Sequence, residues 1–400
     1  MAEKSKVERL VEKWSGVKGK LNISDEKDQF VKENLAVLLE NQENVIKQEK
    51  LFEASQGSIT TTTSQTHAGL DGAFSPISLA LVRRTFPDLF ANKIVGVQAM
   101  TGPVGLAYAL RFIYKGSADS NEASFDVVPE YSGFTGSTSG TSGTADAGTG
   151  VDTSAGEAFL LGTNYPELQM KIDKVAIEAK TRKLGASFSL ESAQDIKAMH
   201  GVDIEREMVN VLQYEIQAEL DRELLANCKS VATSTALFDI SATDGRWTQE
   251  RIAQMANRII KECNDIATRT RRGAGNFIVV STSVASALQS LAGNRFTANT
   301  QAVNPTNTFA EIGSLNGMIK VFRDTYNTDD SILAGFKGAG VGDAGIIYSP
   351  YITGLFNRAM AQEDFTPRIG VMSRYAITSS LLGASRYYTK WSVDNVSQLF

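Results

Sequence analysis

Two cysteines, Cys228 and Cys263, are all that 400 residues contain. They stand 35 positions apart, form no C-x-x-C pair and make no disulfide framework. They read as buried or free thiols in a reducing, cytoplasmic compartment. Histidine is as scarce, with only His67 and His200. Without an H-E-x-x-H motif or an acidic calcium loop no metal centre is expected, and both histidines read as surface or capping residues. Positive charge is not in surplus: 40 Lys and Arg against 45 Asp and Glu give a net charge of −5. Proteins that grip a nucleic-acid duplex neutralise phosphates with a basic excess, so nucleic acid is not expected as a tight ligand. No run of about eighteen apolar residues exists, so no membrane span is expected. The N-terminus, MAEKSKVERLVEKW, alternates charged and apolar residues and lacks a signal-peptide core. Neither a G-x-x-x-x-G-K-[ST] loop nor a G-x-S-x-G elbow occurs.

What is present allows a sizeable core: 42% of the residues are apolar and 33 are glycine. The length suggests two or three domains. Residues 1–53 stand apart, with 21 of 53 being Asp, Glu, Lys or Arg. Val7, Leu10, Val11, Trp14 and Val17 recur at helical spacing, and Val31, Leu35, Leu38 and Val45-Ile46 repeat it after a Gly16/Gly19 break and a Ser24-Asp25 cap. Such narrow stripes predict helices that pair with other helices rather than enter a globular core. From Ala54 to Ser75 the chain turns small and hydroxylated, with no Lys or Arg, and reads as an extended arm.

Further on, Pro76 to about Phe86 predicts a short helix, Ile94-Val95 and Val97 a strand, and Leu106–Tyr114 another. No basic residue lies between Lys115 and Lys171, and 18 of the 25 residues from Ser132 to Gly156 are Gly, Ser or Thr. That composition predicts a long flexible loop. Leu168–Ser189 reads as strand and Leu190–His200 as helix. Val202–Asn227, free of Gly and Pro, reads as one long amphipathic helix through Ile204, Met208, Val211-Leu212, Ile216, Leu220 and Leu224. An α/β pattern follows: helices over Thr248–Ile266 and Ser283–Ala292, and strands over Asn276–Ser281, Met318–Arg323, Ser331–Phe336, Gly345–Tyr351, Arg368–Thr378 and Ala384–Trp391.

Three constellations suggest chemistry without requiring it. Gly340 to Gly345 match G-x-G-x-x-G, but IIYSPY follows, a strand signal without the helix that a dinucleotide phosphate needs. The glycines read as a hairpin connection. Arg269, Arg271 and Arg272 offer a phosphate site, or a solvated or subunit-contacting loop. The pairs Glu205/Glu207 and Glu219/Glu223 read as the solvated face of the long helix.

The stretch SLALVRRTFPDLFANKIVGVQAMTGPVGLAYALRFIY resembles the early segment of major capsid proteins of T-even-like tailed bacteriophages. The resemblance continues in EAKTRKLGASFSLESAQDIKAMHGVDIEREMVNVLQYEIQAELDREL and in ILAGFKGAGVGDAGIIYSPYITGLFNRAMAQEDFTPRIGVMSRY, and covers most of residues 76–380. It implies the α+β tailed-phage major capsid fold, with an N-terminal arm, an E-loop, a peripheral domain with a long spine helix, and an axial domain. The expected division is a helical scaffold-like propeptide at 1–53, arm and first peripheral segment at 54–105, E-loop at 106–183, peripheral domain with spine helix at 184–229, axial domain at 230–345, and a return to the peripheral domain at 346–400. T-even relatives carry a folded insertion on the E-loop. The short, Gly/Ser/Thr-rich stretch here departs from that pattern, and a complete extra domain is not expected.

The resemblance further implies removal of the N-terminal helices by a prohead protease, which cuts after Glu in an aliphatic-x-Glu context before a small residue. Leu51-Phe52-Glu53 followed by Ala54 fits at every position, on the composition boundary. Expected partners are other copies in hexameric capsomers, the protease, an inner scaffold or core, and portal and vertex or decoration proteins. DNA is expected only in non-specific proximity, and neither a cofactor, a membrane nor an enzymatic activity is expected. The place of action would be the virion, assembled in the host cytoplasm. Two other readings stand beside this one: a phage tail or sheath component, and a nucleotide-binding enzyme built on Gly340–Gly345.

Overall fold

The structure, a computed structural model, describes residues 6–15, 29–56, 90–114, 123, 153, 167–201, 203–241, 245–291, 295–299, 309–340, 343–361, 366–381 and 383–396. The expected helix at Pro76–Phe86, the arm beyond Gln56, the loop tip at 132–156 apart from Thr153, and His67 lie outside them.

In chain order the elements are α1 (Lys6–Ser15), α2 (Gln29–Gln56), α3 (Ala91–Ile94), β1 (Gly96–Val97), β2 (Val104–Tyr114), β3 (Leu168–Glu178), β4 (Lys180–Ser187), α4 (Leu190–His200), α5 (Ile204–Val231), β5 (Thr233–Ser234), β6 (Phe238–Asp239), α6 (Thr248–Thr270), β7 (Phe277–Val280), α7 (Thr282–Gln289), β8 (Phe296–Ala298), β9 (Phe309–Leu315), β10 (Ile319–Asp324), β11 (Ser331–Gly335), β12 (Ile346–Met360), β13 (Pro367–Ser379) and β14 (Tyr388–Asp394). The helices begin and end where local chemistry supplies partners for their free main-chain groups. Ser189 accepts a bond from the Ser192 amide at the start of α4, and Gly201 closes that helix in the left-handed conformation, φ 65°. Asp203 caps α5 through the Glu205 amide. The 28 residues of α5 run without Gly or Pro and span ~42 Å at the α-helical rise.

Two packed sheets organise the body. One has four strands in the order β1-β12-β13-β4, and the other runs β5-β14-β11-β7-β10-β9-β8, with β6 beside β14. β12 pairs antiparallel with β13 over its length, with register shifts at Pro350/Ile352 and Ile352/Leu355. Val209, Leu212 and Ile216 of the spine helix α5 pack on Ile369 and Val371 of β13. In the second sheet the FIVV strand β7 is buried at every position between β10 and β11. Helices α6 and α7 cover it through Ile259, Ile266, Val284 and Leu288. The chain's last strand, β14, pairs with β11 in this second sheet. Within 346–400, β12 and β13 thus lie in the first sheet and β14 in the second.

The N-terminal helices correct one expectation. α1 lies on α2, where the Lys13 ammonium reaches Glu40 and Glu43, each at 2.6 Å. Yet Leu35, Ala36, Leu38 and Leu39 of α2 are buried in the same core as Ile94, Val97, Leu224 and Tyr348. The apolar stripe looked too narrow for a core because Asn34, Asn41 and Gln42 interrupt it. In the structure these three amides are themselves buried.

Candidate assembly surface

β2 and β3 form a two-stranded ribbon that pairs with no other strand among those described. Each strand is 11 residues long, so the ribbon extends about 36 Å at the rise of a strand. Alternation places Leu106, Tyr108, Leu110 and Phe112 on one face, and the register sets Ile172 opposite Leu110 and Met170 opposite Phe112. These six side chains are between 44% and 64% exposed. The other face carries Ala107, Ala109 and the ion pair Arg111–Asp173 at 2.9 Å. An isolated ribbon is marginal in water, and a contiguous exposed apolar face of this kind marks an interaction surface.

The ribbon is rooted firmly. Ile177 packs with Met100 and Ala376 at its base. One residue past β3 the chain enters β4, which pairs with β13 from Lys180 to Ser187. There Arg182 donates to Glu219 and to Glu223, each at 2.6 Å, and to the Tyr375 hydroxyl. The Tyr375 hydroxyl donates in turn to Glu223 in a short hydrogen bond. Burial opposes ionisation of Glu223, but the bonds from Tyr375 and Arg182 outweigh it and hold the carboxyl below its ordinary range. Burial, with the bond to Glu223, pushes the Tyr375 hydroxyl up to about 12. Glu219 is exposed as expected, but Glu223 is half-buried, and the two together clamp the ribbon's return strand to the spine helix. Likewise Glu205 meets Arg358 of β12 at 3.5 Å.

The other sequence candidates do not converge on a chemical site. Gly340 and Asp343 to Gly345 lie between β11 of one sheet and β12 of the other, beside a Lys337–Ala344 bridge, and β12 follows at once, while Val341 and Gly342 lie outside the described residues. They are a strand-to-strand connection, though not a hairpin within one sheet. Arg272 pairs with Asp343 at 2.9 Å, whereas Arg269 turns inward to the Thr389 hydroxyl. Arg271 ends α6 at φ 54°. Cys228 and Cys263 are buried, and burial pushes each thiol up to about 12. His200 sits exposed in the last turn of α4. Among the described residues no group of three or more His, Cys, Asp or Glu could hold a metal ion, and no helix is long and apolar enough to cross a membrane. Leu51, Phe52, Glu53 and Ala54 lie within α2, which continues to Gln56.

A rooted ribbon with an exposed apolar face, beside a long helix and two sheets, fits the shell-building proteins of tailed phages that the sequence resembles. The family described as Major capsid protein Gp23 matches residues 72–399. The major capsid protein of Vibrio phage KVP40 is 31% identical over 386 residues, covering 76% of this chain and 75% of that protein. That of Enterobacteria phage T4 is 30% identical over 387 residues, covering 76% and 74%. A capsid vertex protein of Escherichia phage AR1 is 24% identical over 240 residues, covering 54% and 53%. Among solved structures, the capsid of Myoviridae phage XM1 aligns at 9% identity and a TM-score of 0.41, covering 75% of this chain and 89% of that one. That likeness is loose and adds nothing to the family match. The chain belongs to the Gp23 family of major capsid proteins, with their α+β fold, and is a structural component of the virion shell.

Proposed function

We propose that copies of this chain form hexameric capsomers in the host cytoplasm and close a head shell around the genome, and that a prohead protease then cuts after Glu53. The bare apolar face of the β2–β3 ribbon carries the first part. It gives each copy an exposed apolar surface for a neighbour to cover, and repeated weak contacts of this kind add around a ring. The similarity to a capsid vertex protein supports a related chain as partner at the vertices. Portal, inner core and decoration proteins are further partners on this reading, and the acidic balance suits a wall that confines DNA without gripping it. For the second part, Leu51-Phe52-Glu53-Ala54 lies in the last turns of a helix, where fraying lets a protease draw the backbone out. Scission there is irreversible and would sever the covalent link between helices 1–53 and the arm that follows.

Purified finished particles provide the test. Closed shells in electron micrographs and a chain mass beginning at Ala54 are expected, with Glu53→Ala leaving the chain uncut in immature particles. Tubes would remove the shell reading, and normal processing of Glu53→Ala would remove the cut.

A further inference from the structure

The main chain beside α2 is irregular in two places, and α2 completes both. β1 is an edge strand of its sheet. The Asn34 amide lies along that edge like a peptide unit: its Oδ1 accepts from the Ala99 amide at 2.9 Å and its Nδ2 donates to the Val97 carbonyl at 3.4 Å. At the register shifts of β12 two carbonyls leave the ladder. Asn41 Nδ2 donates to Tyr351 at 3.1 Å, and also to Met100 at 2.7 Å, while Gln42 Nε2 donates to Gly354 at 3.0 Å. Buried main-chain groups need such partners, so this is recognition by side-chain amides on top of apolar packing by Leu35, Leu38 and Leu39.

Gln42 is eleven residues before Glu53, ~16 Å along the helix. A cut after Glu53 touches none of these contacts. We propose that the groove formed by β1, the shifted part of β12 and the spine helix is a binding site for the chain's own helix 29–44, and that the site outlasts the cut. Scission and release are then separate steps. Cutting turns a tethered contact into a bimolecular one, so the helix pair leaves by dilution or displacement. This builds on the proposed cut after Glu53 by giving that cut its consequence.

The test avoids the natural bond. A recognition sequence for a site-specific protease is inserted after Gln56 in the full-length, unassembled chain, which carries an N-terminal affinity tag. After complete cleavage the tagged fragment is expected to co-elute with the remainder and to separate on serial dilution. Asn34→Ala, Asn41→Ala and Gln42→Ala should each weaken retention at least tenfold, while Asn44→Ala, at an exposed position, should not. In the uncut Asn34→Ala chain the Ala99 amide should exchange hydrogen faster, a readout that needs no cleavage. Immediate separation from a remainder that stays folded would overturn the proposal. So would unfolding of the remainder on separation, or retention indifferent to all three amides. A finished-particle mass that does not begin at Ala54 would remove the Glu53 cut and leave this binding result standing.

Discussion

Gly335 lies in β11 between two buried rings. A Cβ built there would stand 2.4 Å from Phe277 Cζ and 2.8 Å from Tyr388 Cδ1. Both rings are locked in the core, edge to face at 6.4 Å between centroids, so neither can yield cheaply. Gly335→Ala should therefore destabilise the unassembled subunit by ~1–3 kcal/mol, the usual cost of overpacking. Urea unfolding at neutral pH checks this, and a midpoint equal to the parent's would refute it. Gly345 answers to the same constraint: its Cβ would lie 2.4 Å from Tyr388 Cε2 and 2.9 Å from the Ala384 carbonyl oxygen. The last glycine of the G-x-G-x-x-G string is thus required by an aromatic ring. The spacing was visible in the sequence, but its cause was not, because Tyr388 is 43 positions away.

Elements with strong local signals were legible. α4 was bounded at both ends because its caps, Ser189 and Gly201, are local chemistry. α5 and α6 extend four residues beyond their expected ends at Asn227 and Ile266, to Val231 and Thr270, where neither Gly nor Pro stops them. Ile94-Val95, expected as strand, is instead the end of a short helix and a bend, and only Gly96–Val97 pairs with β12. β9 was missed because FAEIGSL has no clean alternation, and it is held by β10. What no periodicity could show is which polar residues face protein. Asn34, Asn41, Gln42 and Glu223 count as solvated in any hydropathy pattern, and each is matched by a partner distant in sequence. Glu223 makes this testable. Its folded carboxyl titrates below its ordinary value of 4.5, so its stabilisation is complete above 4.5 and fades as pH falls through the lower, folded value. The stability difference between parent and Glu223→Gln should be largest near neutral pH and shrink below 4.5, measured by urea unfolding across acid pH. A difference that grows on acidification would contradict the clamp.

For the whole molecule the decisive fact is an imbalance. The body buries one core rich in aromatic rings and a second built mainly of aliphatic side chains, yet Leu106, Tyr108, Leu110, Phe112, Met170 and Ile172 of the β2–β3 ribbon stand in water. Covering them would contribute on the order of 10 kcal/mol at the usual transfer value, much of it offset by the entropy of association. A single contact would then be modest, and a closed lattice of contacts strong. The substitutions Leu110→Asp and Ile172→Asp face each other across the ribbon, away from both cores, so the double variant should fold like the parent. Its circular dichroism and unfolding midpoint are expected to match the parent's within ~0.5 kcal/mol, as for surface changes generally. Two charges buried at a neighbour's surface without partners should nevertheless abolish assembly, leaving capsomers or single subunits in sedimentation where the parent yields shells. Shells of normal size and yield from the double variant would show that this face is not where copies meet.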